Sequence, residues 1–335
     1  MGQFGQFTDL CHQFALPICP LVGPQPGGLE PSCIARNIDI GGTLFLEPGL
    51  LIMDLIAMVM TVIMVYNVFL KYTAVGRKEM LIFFYLYFLT LVFDFITMSG
   101  LIPASNGAYK YIVAVHISLI STTIWALLVN GFIGFQFAED GSRLSLWSLR
   151  ISSLVVFGLV YATTIGTTLS WTTGFSPDKP YVLWVIYWIF NPAAVFIYFV
   201  LQVILVVGTL QERWPLGDVI LALISFVGAN VISHFFSKTI CNSTNHYIDG
   251  PFFGVIFNLL AVMMVYKYWD SITKEDLEYT FGDNAYNWEV RELLNADDES
   301  DAQFEFDADG VSSIGGSSIG GQTPLRSASR DKYFQ

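Results

Sequence analysis

The hydrophobic residues of this sequence fall into long apolar stretches that are separated by short clusters of charged residues. A bilayer has a hydrocarbon core about 30 Å thick, which a helix of roughly 20 apolar residues crosses. Seven stretches reach that length, at about residues 49–70, 80–102, 110–137, 151–170, 181–207, 217–237 and 251–269. Lipid offers no partner for backbone polar groups, and the alternating pattern of a membrane strand does not occur. The pattern therefore predicts an all-α, polytopic membrane protein with seven transmembrane helices.

The composition agrees with a membrane-embedded body and assigns the charge to another part of the chain. Of the 335 residues, 54% are hydrophobic and 13% are charged. In soluble domains, about a quarter of the residues are charged. The net charge is −12, and residues 270–335, with 15 acidic and 5 basic residues, carry most of it. The chain therefore lacks the basic surface that nucleic-acid binding requires.

The distribution of residue types predicts three regions. Residues 1–48 are rich in Gly and Pro and carry three of the four cysteines, which is typical of a small cap held by disulfides. Residues 49–269 form the predicted seven-helix domain. Residues 270–335 form an acidic, largely disordered tail, in which the sequence SSIGG occurs twice. Residues 1–20 lack the charged segment and apolar core of a cleavable signal peptide, so we expect the first span to direct insertion.

The basic residues between the spans predict the orientation, because cytosolic loops carry an excess of Lys and Arg. One side has eight basic residues: Lys71, Arg77, Lys78, Arg143, Arg150, Arg213, Lys267 and Lys274. The other side has four: Arg36, Lys110, Lys179 and Lys238. This asymmetry predicts a lumenal N-terminus and a cytosolic C-terminus.

The cysteines and one glycosylation sequon fall on the predicted lumenal side. Asn242 begins an Asn-Ser-Thr sequon in the predicted 238–250 loop and is a candidate for glycosylation. The disulfide candidates are Cys11, Cys19, Cys33 and Cys241. Four cysteines allow three pairings, and the sequence does not select one. We favour one bridge within residues 11–33 and a second between the N-terminal segment and the 238–250 loop, with four free thiols as the alternative.

Five polar side chains within the predicted spans are the main candidates for chemistry, because polar groups in a bilayer are costly. They are Asp54, Asp94, His116, His234 and Asn258. At 1.5 Å per residue they lie within roughly 5–12 Å of the lumenal ends of their spans, in one layer. We term these five residues the polar layer.

Three interpretations fit the polar layer. Two His and one Asp could hold a catalytic zinc, as in seven-span lipid hydrolases, but the spans contain no His pair at i, i+4 and no third His. A seven-span receptor would share the topology, but the third span lacks Asp-Arg-Tyr and the seventh lacks Asn-Pro-x-x-Tyr. The third interpretation is a hydrogen-bonded layer that fixes helix register. We expect no catalytic, metal-binding or cofactor-binding residues, and no enzyme.

Small residues recur every fourth position in the fourth span, at Gly158, Ala162 and Gly166. Such a packing strip lets another helix approach closely, either inside the bundle or from a membrane partner. Pro192 lies inside the fifth span and predicts a kink there.

Several motifs carry a resemblance to a known family. They are CPLVG at 19–23, LEPSCIARN at 29–37, KYTAVGRKE at 71–79, NGFIGFQF at 130–137, ERWPLGD at 212–218, HYIDG at 246–250 and WDSITKEDL at 269–277. Together with Cys11 they resemble, in order, the fungal chitin synthase export chaperones. The resemblance covers residues 1 to about 283.

The resemblance implies a multi-pass protein of the endoplasmic reticulum that binds a chitin synthase, assists its folding and enables its export in coated vesicles to the plasma membrane. The resemblance also implies that the protein is not catalytic and that it supports cell-wall chitin synthesis. The resemblance supplies no site residues, and the following assignments are our own hypothesis. We expect the tail to engage the vesicle-coat machinery. We also expect two cytosolic loops to supply contact residues for partners, namely Lys71, Arg77, Lys78, Glu212, Arg213 and Asp218.

Overall fold

The structure is a computed structural model, and it describes residues 5–23, 28–40, 43–72, 74–133, 142–172, 175–209 and 213–273. Two compact units divide the chain, Met1–Leu277 and Glu278–Gln335. The second unit and the end of the first lie outside the described residues. The prediction of a disordered acidic tail therefore falls outside them from residue 274 onward.

The described residues contain seven apolar helices long enough to cross a membrane, which confirms the predicted number of spans. A short helix, α1 (Thr8–Gln13), precedes them. The seven are α2 (Pro48–Leu70), α3 (Arg77–Met98), α4 (Tyr109–Ile133), α5 (Arg143–Thr168), α6 (Tyr181–Gly208), α7 (Trp214–Ser243) and α8 (Gly250–Thr273).

Two helices extend at one end beyond their predicted bounds by six or more residues, because hydropathy does not register polar terminal turns. Helix α5 begins at Arg143 rather than at 151, and the Ser142 side chain caps it by accepting a hydrogen bond from the Ser145 backbone N–H at 3.2 Å. Helix α7 continues to Ser243 rather than ending near 237. The predicted loop 238–250 is therefore wrong in its first half, since Cys241 and Asn242 lie in the last turns of a helix.

Helices α6 and α7 each contain one π-helical segment, at Ile186–Phe190 and Ile232–Phe236. The first ends directly before Asn191 and Pro192. Because proline has no backbone N–H, it removes one helical hydrogen bond from the turn that precedes it. The kink predicted at Pro192 stays a prediction, and the structure has a π-helical turn directly before it, a feature that is frequent at functional sites.

Helix α4 lies at the centre of the bundle and packs against α3, α5 and α6. Its apolar window is 56% buried, more than that of any other span. The main apolar core joins α2, α3, α4, α6, α7 and α8. Helix α5 packs chiefly on α4. Most of the α5 surface therefore faces outward.

The residues before α2 form a cap on the end of the bundle at which α2 begins. We term this the cap end, and the opposite end, at which α8 ends, the tail end. The cap contains α1, a 3-10 turn (Cys19–Leu21) and an antiparallel hairpin of β1 (Ile38–Ile40) and β2 (Thr43–Phe45). The all-α prediction did not include this hairpin, whose strands have only three residues each.

Two disulfides hold the cap, and the predicted use of disulfides is confirmed. Cys11 pairs with Cys19 inside the cap, and Cys33 pairs with Cys241 in α7. This pairing is the one that the sequence analysis favoured. A hydrogen bond from the Tyr109 hydroxyl to the Pro17 carbonyl oxygen, at 2.9 Å, adds a contact between the cap and α4.

Candidate functional site

Four of the five residues of the polar layer fall into two groups of side chains. In the first group, His116 Nε2 lies 3.5 Å from Asp94 Oδ1, and the Thr97 hydroxyl lies 3.4 Å from His116 Nδ1. Asp54 on α2 is fully buried and interacts electrostatically with Asp94. Within the described part of the chain, neither carboxylate oxygen of Asp54 has a hydrogen-bond partner. The first group thus joins α2, α3 and α4.

The second group surrounds His234, where the two π-helical segments face each other. His234 Nδ1 lies 2.7 Å from the Asn230 carbonyl oxygen, and His234 Nε2 lies 3.2 Å from the Tyr187 hydroxyl. Phe14 of the cap packs edge-on against the imidazole, with 5.0 Å between ring centroids. Sequence reasoning missed Tyr187 because tyrosines near span ends are typical membrane anchors.

The geometry does not support the zinc interpretation. Among the described residues, one group brings three ligand-type side chains within 4.8 Å of one another, and it consists of Cys33, Cys241 and His246. Both cysteines of that group are bonded in a disulfide. The two histidines of the polar layer belong to separate groups of contacts, so the hydrolase alternative has no assembled metal site among the residues that the structure describes.

Four members of the polar layer line one cavity of about 350 Å³ inside the bundle. These are Asp94, His116, His234 and Asn258. Further polar lining residues are Thr90, Thr123, Tyr187, Asn191, Asn230 and Ser233. The cap contributes Phe7 and Phe14 and the segment 15–18. The polar layer is therefore part of the wall of a cavity that the cap helps to close.

A pair of acidic residues at the cap end was not predicted. Glu47 and Asp249 directly precede α2 and α8, are both buried and share a side-chain hydrogen bond. Burial raises the pKa of Glu47 well above its usual value, and the neighbouring Asp249 raises it further. Burial also raises the pKa of Asp249. The sequence carried a signal, because acidic residues next to Pro or Gly at the start of an apolar span are typical of helix N-termini.

The packing strip on α5 is open over part of its length. No atom lies within 4 Å of the position that a Cβ on Gly158 would take, and Ala162 is exposed. A Cβ on Gly166 would lie 3.0 Å from the Trp171 side chain and 3.4 Å from that of Phe175. The Gly166 end of the strip is thus covered by the chain itself, and the open part is Gly158 and Ala162.

The predicted cytosolic contact residues that the structure describes lie at the tail end, and most of them make contacts within the chain. Lys71 forms an ion pair with Asp270. Arg77 lies over the Tyr72 ring at 5.2 Å, and Lys267 Nζ lies 2.9 Å from Asp218 Oδ1. Two others, Lys78 and Arg213, are exposed. Glu212 lies outside the described residues.

The glycosylation candidate Asn242 is exposed in the last turn of α7. Its side-chain oxygen lies 3.5 Å from the sulfur of Cys33, so it stands beside the disulfide that joins the cap to the bundle. Its modification remains a prediction.

Comparisons with known proteins agree with the resemblance seen in the sequence. Residues 3–283 match the family model described as "Chitin synthase export chaperone". A chitin synthase export chaperone of Gibberella zeae is 45% identical over 93% of this chain and 95% of its own length. Relatives of the same description are 44% identical in Neurospora crassa (93% of this chain, 88% of the relative) and 46% identical in Coccidioides immitis (87% and 89%). No solved structure matches the chain.

Proposed function

The chain belongs to the chitin synthase export chaperone family, and on this premise we propose that it binds a chitin synthase in the membrane of the endoplasmic reticulum and enables its folding and export. The family match over residues 3–283 carries the proposal. It covers all seven spans, so the membrane body and the cap both belong to the functional unit.

We further propose that the cap end is lumenal and that the acidic tail is cytosolic. The excess of Lys and Arg beside the opposite ends of the spans supports this orientation. The two disulfides of the cap support it as well, because the lumen is an oxidising compartment and the cytosol is not. On this orientation the region 270–335 is available to vesicle-coat proteins, while Asn242 faces the lumenal glycosylation machinery.

The surface that we propose for the client is the outward face of α5. Its side chains Leu154 and Leu159 are 71% and 62% exposed, and Gly158 between them leaves open space. In a bilayer, apolar exposure alone does not drive helix association, but a small residue lets a second helix approach closely enough for extensive van der Waals contact. The gap at Gly158 therefore marks the point on α5 at which a client helix can pack.

Gly158→Leu tests this surface, with Gly208→Leu as the matched control. Both glycines lie on outward helix faces with no atom within 4 Å of the added Cβ. Replacing a helical Gly with Leu favours the helix by up to about 1 kcal/mol, so neither change should unfold the protein. The measurement is the recovery of chitin synthase with the tagged protein from mild detergent, together with the location of the synthase in cells.

Gly158→Leu is expected to lower recovery at least threefold and to retain the synthase inside the cell, while Gly208→Leu leaves both unchanged. Equal recovery with the two variants would reject the α5 surface but not the chaperone role. Normal surface delivery of the synthase in cells that lack the protein altogether would reject the chaperone role itself. Truncation after residue 283 tests the tail separately, since unimpaired export by that variant would show that the tail is not the export signal.

A further inference from the structure

We propose that the cavity in the bundle binds a single-chain lipid with a neutral, hydrogen-bonding head group. The lipid would come from the surrounding bilayer, with its head at the polar layer and its alkyl chain directed towards the tail end. Three properties of the cavity carry this proposal, namely its shape, the gradient of polarity along its wall and an unsatisfied acceptor.

The cavity is long and narrow. On α3 alone its wall extends from Met98 to Phe83, a distance of about 22 Å at 1.5 Å per residue. A volume of about 350 Å³ spread over that length describes an elongated space rather than a compact one. A single alkyl chain has this elongated form and matches the cavity in shape.

A helix from a client protein is also too large. A helix with its side chains is at least about 10 Å wide, and a 22 Å length of it occupies about 1,700 Å³. That is several times the volume of the cavity. The volume does fall within the range of about 300–1,000 Å³ that is usual for small-molecule sites. The shape therefore selects a small molecule and rejects a protein segment.

From the polar layer towards the tail end, the wall of the cavity becomes mainly apolar. Asp94, His116, Asn191 and Asn258 line it at about 6, 10, 15 and 12 Å from the cap-end termini of their helices. The deeper wall includes Phe83, Leu127, Val195, Phe199 and Val265. The cap closes the cavity beyond the polar residues with apolar side chains, so the longer apolar part of the wall lies on the tail-end side. A molecule with one polar end and one long apolar end therefore matches this wall with its apolar end directed towards the tail end.

The polar end of the cavity selects a neutral head. Asp94 and His116 are partners of each other, so neither side chain is free to pair with a charged head group. Asn191 is buried, lines the cavity, and its Oδ1 accepts no hydrogen bond from any described residue. An unsatisfied buried acceptor is costly, and a ligand hydroxyl or amide N–H would satisfy it. An alcohol or amide head is therefore expected, as in a monoacylglycerol.

The test uses the full chain, purified without a client in a sterol-based detergent that has no alkyl chain, and radiolabelled 1-monooleoylglycerol as the probe. Saturable binding near one molecule per chain is expected. Val195→Trp fills the apolar part of the cavity, and Ile204→Trp places the same side chain on the outward face of the same helix. The first change should weaken binding at least tenfold and the second should leave it unchanged.

Binding that does not saturate, or equal binding by the two tryptophan variants, would overturn the proposal. If Val195→Trp does not fold, Ala261→Phe fills the cavity from α8 and is judged by the same criterion. Oleate should bind at least tenfold more weakly than the monoacylglycerol, and equal affinity would overturn the neutral head. Competition by glycerol alone would overturn the placement of the alkyl chain.

Discussion

The two disulfides should contribute very differently to stability, because the loops that they close differ in length. Cys11 and Cys19 are separated by 8 residues, whereas Cys33 and Cys241 are separated by 208. A disulfide restricts the unfolded chain, and in the loop-entropy account the effect grows with the logarithm of loop length. For loops of these lengths it amounts to about 2.5 and about 5 kcal/mol.

The larger value needs a correction for the membrane. Six helices, α2–α7, lie largely between Cys33 and Cys241, and inserted helices stay helical when their packing is lost. Counting each helix as one rigid segment leaves about 60 independent units in the loop, which lowers the contribution to about 4 kcal/mol. The Cys33–Cys241 bond therefore still contributes more than the Cys11–Cys19 bond by about 1.5 kcal/mol or more.

The assay compares Cys33→Ser/Cys241→Ser with Cys11→Ser/Cys19→Ser by thermal unfolding of the purified full chain in bicelles. The first pair should lower the midpoint clearly more than the second. Each pair replaces two buried cysteines, so the loss of sulfur packing is matched. Equal midpoints would refute the loop-length argument. A larger loss in the Cys11→Ser/Cys19→Ser variant would refute it as well, and would indicate that the small cap loop is the element that stabilises the fold.

Two further predictions concern the cap end. Glu47→Gln should stabilise the protein at pH 7 and reduce the pH dependence of its unfolding midpoint between pH 4 and 8. Because the pKa of Glu47 is raised in the folded state, the stability of the protein falls as the pH rises above the unfolded pKa of about 4.3, whereas Gln keeps the hydrogen bond to Asp249 without ionising. A lower midpoint at pH 7 would contradict this prediction. Gly250→Ala should lower the free energy of unfolding by about 1–3 kcal/mol, since the new Cβ would lie 2.5 Å from the Ser237 Cβ. The control Gly217→Ala, in open space, should be neutral or stabilise the protein by up to about 1 kcal/mol. Equal unfolding midpoints for the two variants would contradict this prediction.

The number of spans could be predicted from the sequence because seven stretches of lipid-compatible length leave few alternatives. Helix ends could not be predicted equally well. The last turns of α7 contain Lys238 and Asn242, which end a hydropathy window without ending the helix. The first turns of α5 contain Arg143 and Arg150, which likewise fall outside a hydropathy window although they lie within the helix. Ser142 did carry a signal for the start of α5, because serine is a common helix N-cap.

The polar layer shows where sequence reasoning about a site stops. Depth along each helix is set by residue spacing, so a common level for Asp94, His116 and Asn258 could be derived. The rotation of each helix and the position of the cap are set by packing. The sequence therefore carried no signal for the division of the layer into two groups. One is the Asp94–His116 pair, and the other is the group of His234, whose imidazole packs against Phe14.

The dimensions of the cavity also constrain how a client could be recognised. Because a transmembrane helix does not fit inside the bundle, a client must meet the protein on an outer surface, and any ligand of the cavity can influence the client only through the helices between them. Helix α4 is the element best placed for such an influence, since it lines the cavity through His116 and packs against α5. A lipid that holds α4 in one position would then present Gly158 in one position as well, so client binding and cavity occupancy should rise and fall together.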